Sequence, residues 1–270
     1  MEAMDCRPEP ETEKSPGFDF DPQASRKWMR DAWMPFAVVV VLLYLLLVIW
    51  SRGLAKGGRK VEVLVPLVAW NGGLAIFSAV GAWKVFPWFY FVLFSRGFYC
   101  SVCSNSYMTE SRETGYWIFL FVLSKIPELG DTVFLLLKRQ PLTFLHCYHH
   151  ATVILFTAHI YVDFAATGIW FCALNYVVHA LMYSYYTVRT MGFRVPRWIA
   201  KVITCLQILQ MVLGTAATAG AFYYKIRRFP CQMNGVNIVV SLALYLSYWV
   251  LFSIFFRNSY VKTISKCTTQ

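Results

Sequence analysis

The sequence predicts an all-α, polytopic membrane protein with seven transmembrane helices. Hydrophobic residues make up 58% of its 270 residues and charged residues only 14%, against about 45–50% and about 25% in ordinary globular proteins. The mean hydropathy is +0.49, and uncharged stretches of about 20 residues, the length that crosses a bilayer, recur along the chain. The composition excludes a disordered chain, collagen and a coiled coil, and a soluble domain of this size could not bury so much apolar surface.

Five of the seven predicted spans are apolar stretches without a charged residue. They cover residues 32–51, 63–83, 164–188, 202–224 and 229–256. The last stretch is longer than one crossing requires, so residues 230–234 are expected to lie outside the membrane. The other two spans, residues 116–137 and 142–162, are long enough to cross but carry charged or histidine side chains.

The two ends of the chain are predicted to be tails. Residues 1–31 hold eight acidic residues and four prolines, which favours a disordered acidic tail over a signal peptide. Residues 32–256 then form the seven-helix transmembrane domain, which would carry any active site, and residues 257–270 form a cytosolic C-terminal tail.

One aromatic stretch between the second and third spans, residues 85–109, is predicted not to cross the membrane. It contains Pro87, Arg96 and Gly97. Because proline and glycine interrupt helices, this stretch is predicted to be an interfacial loop.

Seven spans place the two termini on opposite sides of the membrane. With the acidic tail outside, the cytosolic side carries 13 Lys and Arg and the outer side 11, a small bias in the direction that cytosolic loops usually show. The 11 acidic residues of the outer side cancel its bases, the buried Lys125, Glu128 and Asp131 together contribute −1, and the cytosolic side, with Glu62 as its one acidic residue, carries +12, which gives the net charge of +11. We interpret this charge as a surface for anionic lipid and phosphate groups, and we predict no nucleic-acid partner.

Three ionisable residues interrupt the third span, where burial of a charge costs about 2.5–3.5 kcal/mol on insertion scales. Lys125 and Glu128 are helical neighbours three residues apart, and Asp131 follows after three more. Pro127 and Gly130 would disturb the helix here, which a membrane tolerates only against protein or water. These residues predict either an ion pair that fixes helix packing or the polar wall of a reaction chamber.

Three histidines share one face of the fourth span. His146, His149 and His150 are spaced i, i+3 and i+4 along the predicted helix. Packing alone does not explain such a group, which predicts a reactive site near the cytosolic end. His159 falls on the opposite face and is interpreted as structural, and Cys147 lies off the histidine face, which makes a thiol nucleophile the weaker hypothesis.

The fifth and sixth spans contribute further polar side chains. One face of the fifth helix carries Asn175, His179, Met182 and Tyr186. In the sixth span, Thr204, Gln207 and Gln210 are spaced i, i+3 and i+6. Hydrogen bonds between helices could explain the two glutamines as well as a substrate contact would.

Several kinds of membrane protein could use such a cluster. A diiron oxidoreductase needs more imidazoles than the five His of this chain supply, and in a metal-dependent lipid hydrolase three neighbouring His would crowd a tetrahedral zinc ion. A transporter or receptor would fit seven spans, but no repeated half is visible and the polar groups gather toward one side. Covalent acyl transfer fits better, because imidazole attacks thioesters and a basic cytosolic rim suits the phosphates of coenzyme A.

Four motifs carry these polar residues in order along the chain. They are KIPELGDT at residues 125–132, HCYHH at 146–150, NYVVHALMYSYY at 175–186 and TCLQILQ at 204–210. Together they resemble the motifs of the elongation of very long chain fatty acids proteins, and the resemblance runs from about Trp28 to the end of the chain. Two stretches resemble the branch acting on saturated and monounsaturated chains: FVLSKIPELGDT and SVC at residues 101–103. Pro141 supports the same branch, because relatives that act on polyunsaturated chains tend to carry Gln at this position.

The resemblance implies a very-long-chain 3-oxoacyl-CoA synthase of the endoplasmic reticulum membrane, with a lumenal N-terminus and a cytosolic C-terminus. It would condense a long-chain saturated or monounsaturated acyl-CoA with malonyl-CoA, releasing carbon dioxide and coenzyme A. Six of the seven helices would form a barrel around an acyl tunnel, with the first helix outside. No metal or other cofactor is expected. The expected partners are both acyl-CoA substrates, reticulum lipids, the other enzymes of the elongation cycle and, as an option, a second copy of the chain.

The resemblance also assigns roles to residues by motif position. His149 corresponds to the acylated nucleophile, and His179 assists the malonyl half-reaction. The residues that shape and charge the chamber are His146, His150, Lys125, Glu128, Asp131 and Asn175. The residues expected to bind substrate are Tyr183, Tyr186, Gln207, Gln210, Lys138, Arg139, Arg189, Arg194, Arg197 and Lys201.

Three of the eight cysteines, Cys100, Cys103 and Cys231, fall in predicted outer loops. Either Cys100 or Cys103 could pair with Cys231 in an oxidising lumen, and the resemblance favours Cys103–Cys231. The chain ends in KCTTQ and lacks the di-lysine retrieval signal of many relatives, so retention in the reticulum by that route is not expected.

Overall fold

The computed structural model describes Cys6 and residues 19–54 and 61–261, and all regular structure in these residues is helical. The α-helices are α1 Pro22–Trp28, α2 Met34–Leu54, α3 Leu64–Ser95, α4 Gly97–Cys103, α5 Ser106–Thr109, α6 Arg112–Ser124, α7 Gly130–Leu137, α8 Phe144–Val162, α9 Gly168–Thr190, α10 Arg197–Ile226 and α11 Gly235–Phe256. The prediction of an all-α protein is confirmed.

Helices long and apolar enough to cross a membrane occur at four places in the described residues. They are Pro22–Ser51, Leu64–Ser95, Arg197–Ile226 and Gly235–Val261. Their outward side chains are strongly apolar: Leu46 is 62% exposed, and Val65 and Trp83 are each 76% exposed. Such surfaces are stable against lipid and not against water, which agrees with a multi-pass membrane protein.

The first helix begins earlier than the sequence predicts. α1 starts at Pro22, where the carboxylate of Asp21 accepts hydrogen bonds from two backbone N–H groups at 2.8 and 3.2 Å. A capping carboxylate followed by proline at the first helical position is a strong helix start. α1 runs through a π-helical turn, Met29–Trp33, into α2, so the structure differs from the predicted tail at residues 22–31. The rest of that tail, except Cys6 and residues 19–21, lies outside the described residues.

The predicted interfacial loop at residues 85–109 is wrong, because α3 continues through its first part and α4 and α5 occupy most of the rest. Pro87 lies on the exposed side of α3, whereas Val85 and Phe89 pack into the core. The packing of this apolar face outweighs the local effect of one proline. α3 ends only before Gly97, whose φ of +86° is a conformation that glycine adopts without strain.

The third predicted span is broken, as Pro127 and Gly130 predict. α6 ends before the polar motif, a 3₁₀ turn covers Pro127–Leu129, and α7 resumes the helix. The break lies at the motif itself, and it turns Lys125 and Glu128 toward α9. The local irregularity therefore delivers two charged groups to the interior of the bundle.

The last four helices lie where the sequence predicts spans. α11 begins at Gly235, and the side chain of Asn234 caps it by accepting a hydrogen bond of 2.6 Å from the backbone N–H of Asn237. Residues 230–234 are thus outside the helix, as predicted. α10 and α11 approach closely at Gly214, where an added Cβ would lie 2.3 Å from a ring atom of Tyr245.

Two disulfides lie beside the core at the end of the bundle away from the clustered histidines. Cys103–Cys231, with Sγ atoms 2.08 Å apart, confirms the expected pairing and joins α4 to the segment before α11. Cys6–Cys100 was not predicted, and it attaches Cys6 to the middle of the same short helix. Both bridges close long loops, with sequence separations of 128 and 94 residues, so they restrict the unfolded chain strongly.

Candidate active site

A cavity of about 560 Å³, here called the histidine cavity, lies among α3, α7, α8, α9, α10 and α11. Four of the five histidines line it: His146, His149, His150 and His179. Eight other predicted site residues also line it: Asp131, Lys138, Asn175, Tyr183, Tyr186, Arg189, Gln207 and Gln210. The structure therefore brings together the motif residues of α7, α8, α9 and α10.

The histidines of α8 stand on one face, as their spacing predicts. Their rings are close: the centroids of His146 and His150 are 4.4 Å apart, and those of His149 and His150 are 5.5 Å apart. The hydroxyl of Thr132 lies 2.8 Å from Nε2 of His146, which holds that ring in place. The ring of His149 stands 5.1 Å from that of Tyr248 and makes no hydrogen bond to any described residue, so its nitrogens stay open to a ligand.

Lys125 and Glu128 form a buried ion pair behind the cavity wall. The Nζ of Lys125 lies 2.5 Å from Oε1 of Glu128 and donates to Oδ1 of Asn175 at 3.2 Å. The hydroxyl of Ser124 donates to the same carboxylate oxygen at 3.2 Å, and Nδ1 of His179 lies 3.7 Å from it. Both charged residues are 2–3% exposed. The pair therefore fixes Asn175 and lies next to His179, and does not itself line the cavity.

Asp131 is held in place by two hydrogen-bond donors. Its Oδ1 accepts from the indole N–H of Trp70 at 2.9 Å, and its Oδ2 accepts from the hydroxyl of Tyr183 at 2.7 Å. Both oxygens are occupied, so this carboxylate orients its neighbours across α3, α7 and α9. By holding Trp70 and Tyr183, Asp131 helps to fix the shape of the cavity wall.

Only two of the predicted basic contacts reach the histidine cavity. Lys138 and Arg189 line its wall. The others are not on the wall: Arg139, Arg194, Arg197 and Lys201. Among the latter, all except Arg139 are exposed near the start of α10, beyond the end of α9. Further cytosolic bases of the sequence, Lys56, Arg59, Lys60, Lys262 and Lys266, lie outside the described residues.

The sequence reasoning missed several residues of the cavity. Asn71 on α3 lines it and is 5% exposed. A polar side chain in an otherwise apolar span could have drawn attention to it. Phe252 lines it from α11, and the ring of Tyr248 lies next to that of His149 at an interplanar angle of 54°. α11 is aromatic along its length and carries no distinguishing pattern.

Among residues 19–54 and 61–261, no three His, Cys, Asp or Glu side chains are grouped as metal ligands would be. The rings of the α8 histidines contact one another and Thr132. The donor set that surrounds the cavity is made of imidazoles, carboxamides, phenols and one doubly hydrogen-bonded carboxylate. Such a set can supply a nucleophile, proton carriers and hydrogen-bond donors.

Comparison with known proteins adds an independent observation. Residues 28–268 match the model of the ELO: GNS1/SUR4 family. The chain is similar to "Very long chain fatty acid elongase 6" of Drosophila melanogaster, with 40% identity over 90% of this chain and 77% of that protein. It is 40% identical to the protein of that name from Gallus gallus over 92% of each chain. For the Homo sapiens protein the identity is 39%, over 92% of this chain and 93% of the other.

Proposed function

Because the chain belongs to the GNS1/SUR4 family, we propose that it is a fatty acid elongase that acts as a very-long-chain 3-oxoacyl-CoA synthase. It condenses a long-chain saturated or monounsaturated acyl-CoA with malonyl-CoA and forms 3-ketoacyl-CoA, carbon dioxide and coenzyme A. The observation that carries this proposal is the clustering of four imidazoles around one cavity between apolar helices. The names of its relatives supply the reaction class.

In the first half-reaction, a ring nitrogen of His149 attacks the thioester carbonyl of the acyl-CoA. The new C–N bond forms, the C–S bond breaks, and coenzyme A leaves as the thiol with the proton of the imidazole. We assign His149 from its motif position, and its ring carries no hydrogen bond to a described residue, whereas that of His146 is bound to Thr132. Nδ1 of His150 is also without a described partner, but His150 is more deeply buried. The acyl-imidazole splits a difficult condensation into two easier steps.

In the second half-reaction, malonyl-CoA loses carbon dioxide and its enolate attacks the acyl carbon. The C–C bond forms, the C–N bond to His149 breaks, and the imidazole recovers a proton from solvent. His179 and Asn175 lie on the α9 wall, where they can donate hydrogen bonds to the enolate oxygen. The buried pair of Lys125 and Glu128 positions both groups.

The surroundings of the site suit the two ends of an acyl-CoA. Lys138 and Arg189 offer positive charge at the wall of the cavity, and the exposed Arg194, Arg197 and Lys201 extend it outward. Phosphate groups bind such clusters through charge-assisted hydrogen bonds. We propose that Tyr183, Tyr186, Gln207 and Gln210 contact the substrate within the cavity and that no metal takes part.

The two disulfides support a topology of seven crossings. A disulfide joins residues on one side of a membrane, so an even number of crossings must separate its cysteines. The continuous α1–α2 segment and α3 lie between Cys6 and Cys100, and the broken α6–α7, α8, α9 and α10 lie between Cys103 and Cys231. With α11, this gives seven crossings. Six would form the barrel, with α2 packed outside against α8.

Oxidised bridges also support a reticulum location with these cysteines in the lumen. The N-terminus then lies in the lumen and the C-terminus in the cytosol. The phosphates of coenzyme A would meet the basic residues on the cytosolic side, and the partners would be the other enzymes of the elongation cycle and reticulum lipids. A second copy of the chain is a further partner to test by sizing the purified protein.

The proposal predicts that His149→Ala abolishes both half-reactions. Microsomes carrying the variant should lose incorporation of radiolabelled malonyl-CoA by about a hundredfold or more, and the intact protein should lose the mass increase produced by acyl-CoA alone. Cys147→Ser is the matched control, since it changes the one cysteine of the HCYHH motif, and it should keep both signals. Acylation that survives His149→Ala would contradict the assignment of this nucleophile.

A separate prediction concerns metals. Incubation with strong chelators followed by buffer exchange should leave condensation within about twofold of the untreated enzyme, because no step of the proposed mechanism uses a metal. A known zinc hydrolase treated in parallel shows that the chelators are effective. Loss of turnover that added zinc or iron restores would favour a metal-dependent hydrolase or a diiron oxidoreductase over acyl transfer.

A further inference from the structure

Three carboxamide side chains line the histidine cavity with hydrogen-bonding groups that the described protein does not use. Asn71 is 5% exposed, and no described residue hydrogen-bonds to its side chain. Gln207 donates to the thioether sulfur of Met182 at 3.3 Å, which is a weak acceptor. The carbonyl oxygen of Gln210 is buried without a partner among the described residues. Buried amides are nearly always paired, so these groups call for a ligand.

Two further carboxamides line the cavity, Gln140, which is exposed at its rim, and Asn175, which the protein itself uses. Asn175 accepts a hydrogen bond from Lys125 at 3.2 Å and so belongs to the ion-pair network next to His179. It is therefore fixed by the protein. Asn71 and Gln207 come from α3 and α10, outside that network. The carboxamides without good hydrogen-bond partners are thus those on the α3 and α10 walls of the cavity.

Asn71 and Gln207 both lie beside the stretch of α9 that separates the histidines from the basic residues. Next to Asn71 on α3, an added Cβ at Gly72 would lie 3.9 Å from the methyl group of Thr187. Gln207 touches Met182. α9 lines the cavity from His179 to Arg189, a rise of about 15 Å along the helix. A ligand that extends along the α9 wall from Arg189 to His179 would therefore lie beside the two carboxamides.

We propose that the side chains of Asn71 and Gln207, with that of Gln210, hydrogen-bond the amide groups of the pantetheine arm of acyl-CoA and malonyl-CoA. This rests on the proposed function, which supplies the coenzyme A thioester. The arm carries two secondary amides, each with one N–H donor and one C=O acceptor. A carboxamide side chain offers both complementary groups. A carboxamide matches a secondary amide in both directions with two separate atoms, so it can pair with the N–H and the C=O group at once.

The proposed hydrogen bonds would affect how tightly the acyl-CoA binds and where its thioester lies in the cavity. Hydrogen bonds to the arm form equally in the bound substrate and in the transition state, so their loss should raise KM and leave kcat nearly unchanged. Asn71 and Gln207 are therefore positioning residues that set the depth at which the thioester stops. The chemistry remains with the histidines.

The experiment compares palmitoyl thioesters of four thiols with the purified full-length protein in lipid nanodiscs. Coenzyme A and pantetheine carry both amides, N-acetylcysteamine carries one, and ethanethiol carries none. For Asn71→Leu, a change of similar size that removes the amide, kcat/KM for palmitoyl-pantetheine should fall about tenfold relative to the ethanethiol ester, as expected for a lost buried hydrogen bond. Gln207→Met should show the same dependence on the thiol.

The control is Asn258→Leu, which removes an exposed carboxamide away from the cavity and should change no thioester. Equal losses for all four thioesters, or no loss for any, would overturn the inference while the proposed function stands. If Asn71→Leu and Gln207→Met do not fold, the wild type decides: equal kcat/KM for the pantetheine and ethanethiol esters overturns the inference. A wild type that turns over no thioester overturns the proposed function and this inference with it.

Discussion

At the scale of single residues, each ionisable side chain at the site has its own set of partners. His149 has an unbonded ring, His146 is tied to Thr132, and Asp131 is held by two donors. Lys125 pairs with Glu128 behind the wall. In the proposed mechanism, these differences distinguish the nucleophile from the groups that orient it, although all of them belong to motifs of similar polarity.

The ion pair gives a prediction that separates packing from chemistry. Lys125→Met leaves the carboxylate of Glu128 buried and unpaired, which should lower the free energy of unfolding by about 3–5 kcal/mol. Lys125→Met with Glu128→Gln removes both charges and should recover most of that loss, because a neutral pair avoids the desolvation cost. The measurement is thermal unfolding in detergent, read alongside condensation activity.

If the pair only fixes helix packing, the double variant should regain activity together with stability. We expect stability without activity, since Asn175 and His179 lose the groups that position them. Equal stability of the single and double variants would contradict the buried-charge argument.

Helical spacing predicted which histidines of α8 share a face. The hydrogen-bond partners of the site residues depend on contacts between helices, which spacing does not predict. The i, i+3, i+4 pattern placed His146, His149 and His150 on one face because the period of a helix fixes it. The partners of His146 and Asp131 come from other helices, and no local pattern reports which aromatic or hydroxyl group will arrive. Asn71 was missed for that reason, since its neighbours in the sequence are ordinary for a membrane helix.

At the scale of elements, the break between α6 and α7 places the third-helix motif. The 3₁₀ turn Pro127–Leu129 ends against α3, where an added Cβ at Gly130 would lie 2.4 Å from the ring of Trp70. Trp70 donates to Asp131. The absence of a side chain at this glycine therefore lets the indole approach α7 and hold the carboxylate.

Gly130→Ala should displace Trp70 and weaken its bond to Asp131. Loss of a hydrogen bond to a charged group corresponds to about a tenfold to hundredfold effect, so kcat/KM for condensation should fall by that range. Gly73→Ala is the matched control in α3, since nothing lies within 4 Å of its added Cβ. Equal activity of the two variants would show that the close contact is unimportant.

The elements also show why a local pattern can fail. Pro87 and Gly97 predict a loop, and only the glycine ends a helix. The proline lies on the exposed side, where its lost hydrogen bond disrupts no packing, while Val85 and Phe89 pack into the core. The sequence contains both the proline and the apolar face of α3. Packing of the apolar face stabilises the helix by more than the proline destabilises it.

At the scale of the whole molecule, the two disulfides and the aromatic core hold one end of the bundle, and the histidine cavity occupies the other. Phe171 and Tyr245 stack there with centroids 4.7 Å apart. Both disulfides and this ring pair thus lie away from the histidine cavity. The multi-pass arrangement followed from composition, whereas the Cys6 bridge could not, because the surrounding acidic tail gives no pattern.

Replacing Cys103 and Cys231 together with Ala should destabilise the protein by about 4–5 kcal/mol, the chain-entropy value for a loop of more than 100 residues. The unfolding midpoint under non-reducing conditions is the measurement. Cys205→Ala is the control, because Cys205 is an exposed free cysteine on α10. If the unfolding midpoint of the double variant equals that of Cys205→Ala, the Cys103–Cys231 bridge contributes little to stability.

The spacing of the same cysteines also sets an order for making the protein. A ribosome adds about 5–20 residues per second, so Cys103 waits about 6–25 seconds for Cys231, which lies 128 residues later. During that interval Cys100, three positions from Cys103 in a CxxC pair, is its nearest competing partner. Cys6 is already synthesised by then, so a bridge from Cys6 to Cys100 would leave Cys103 available for Cys231.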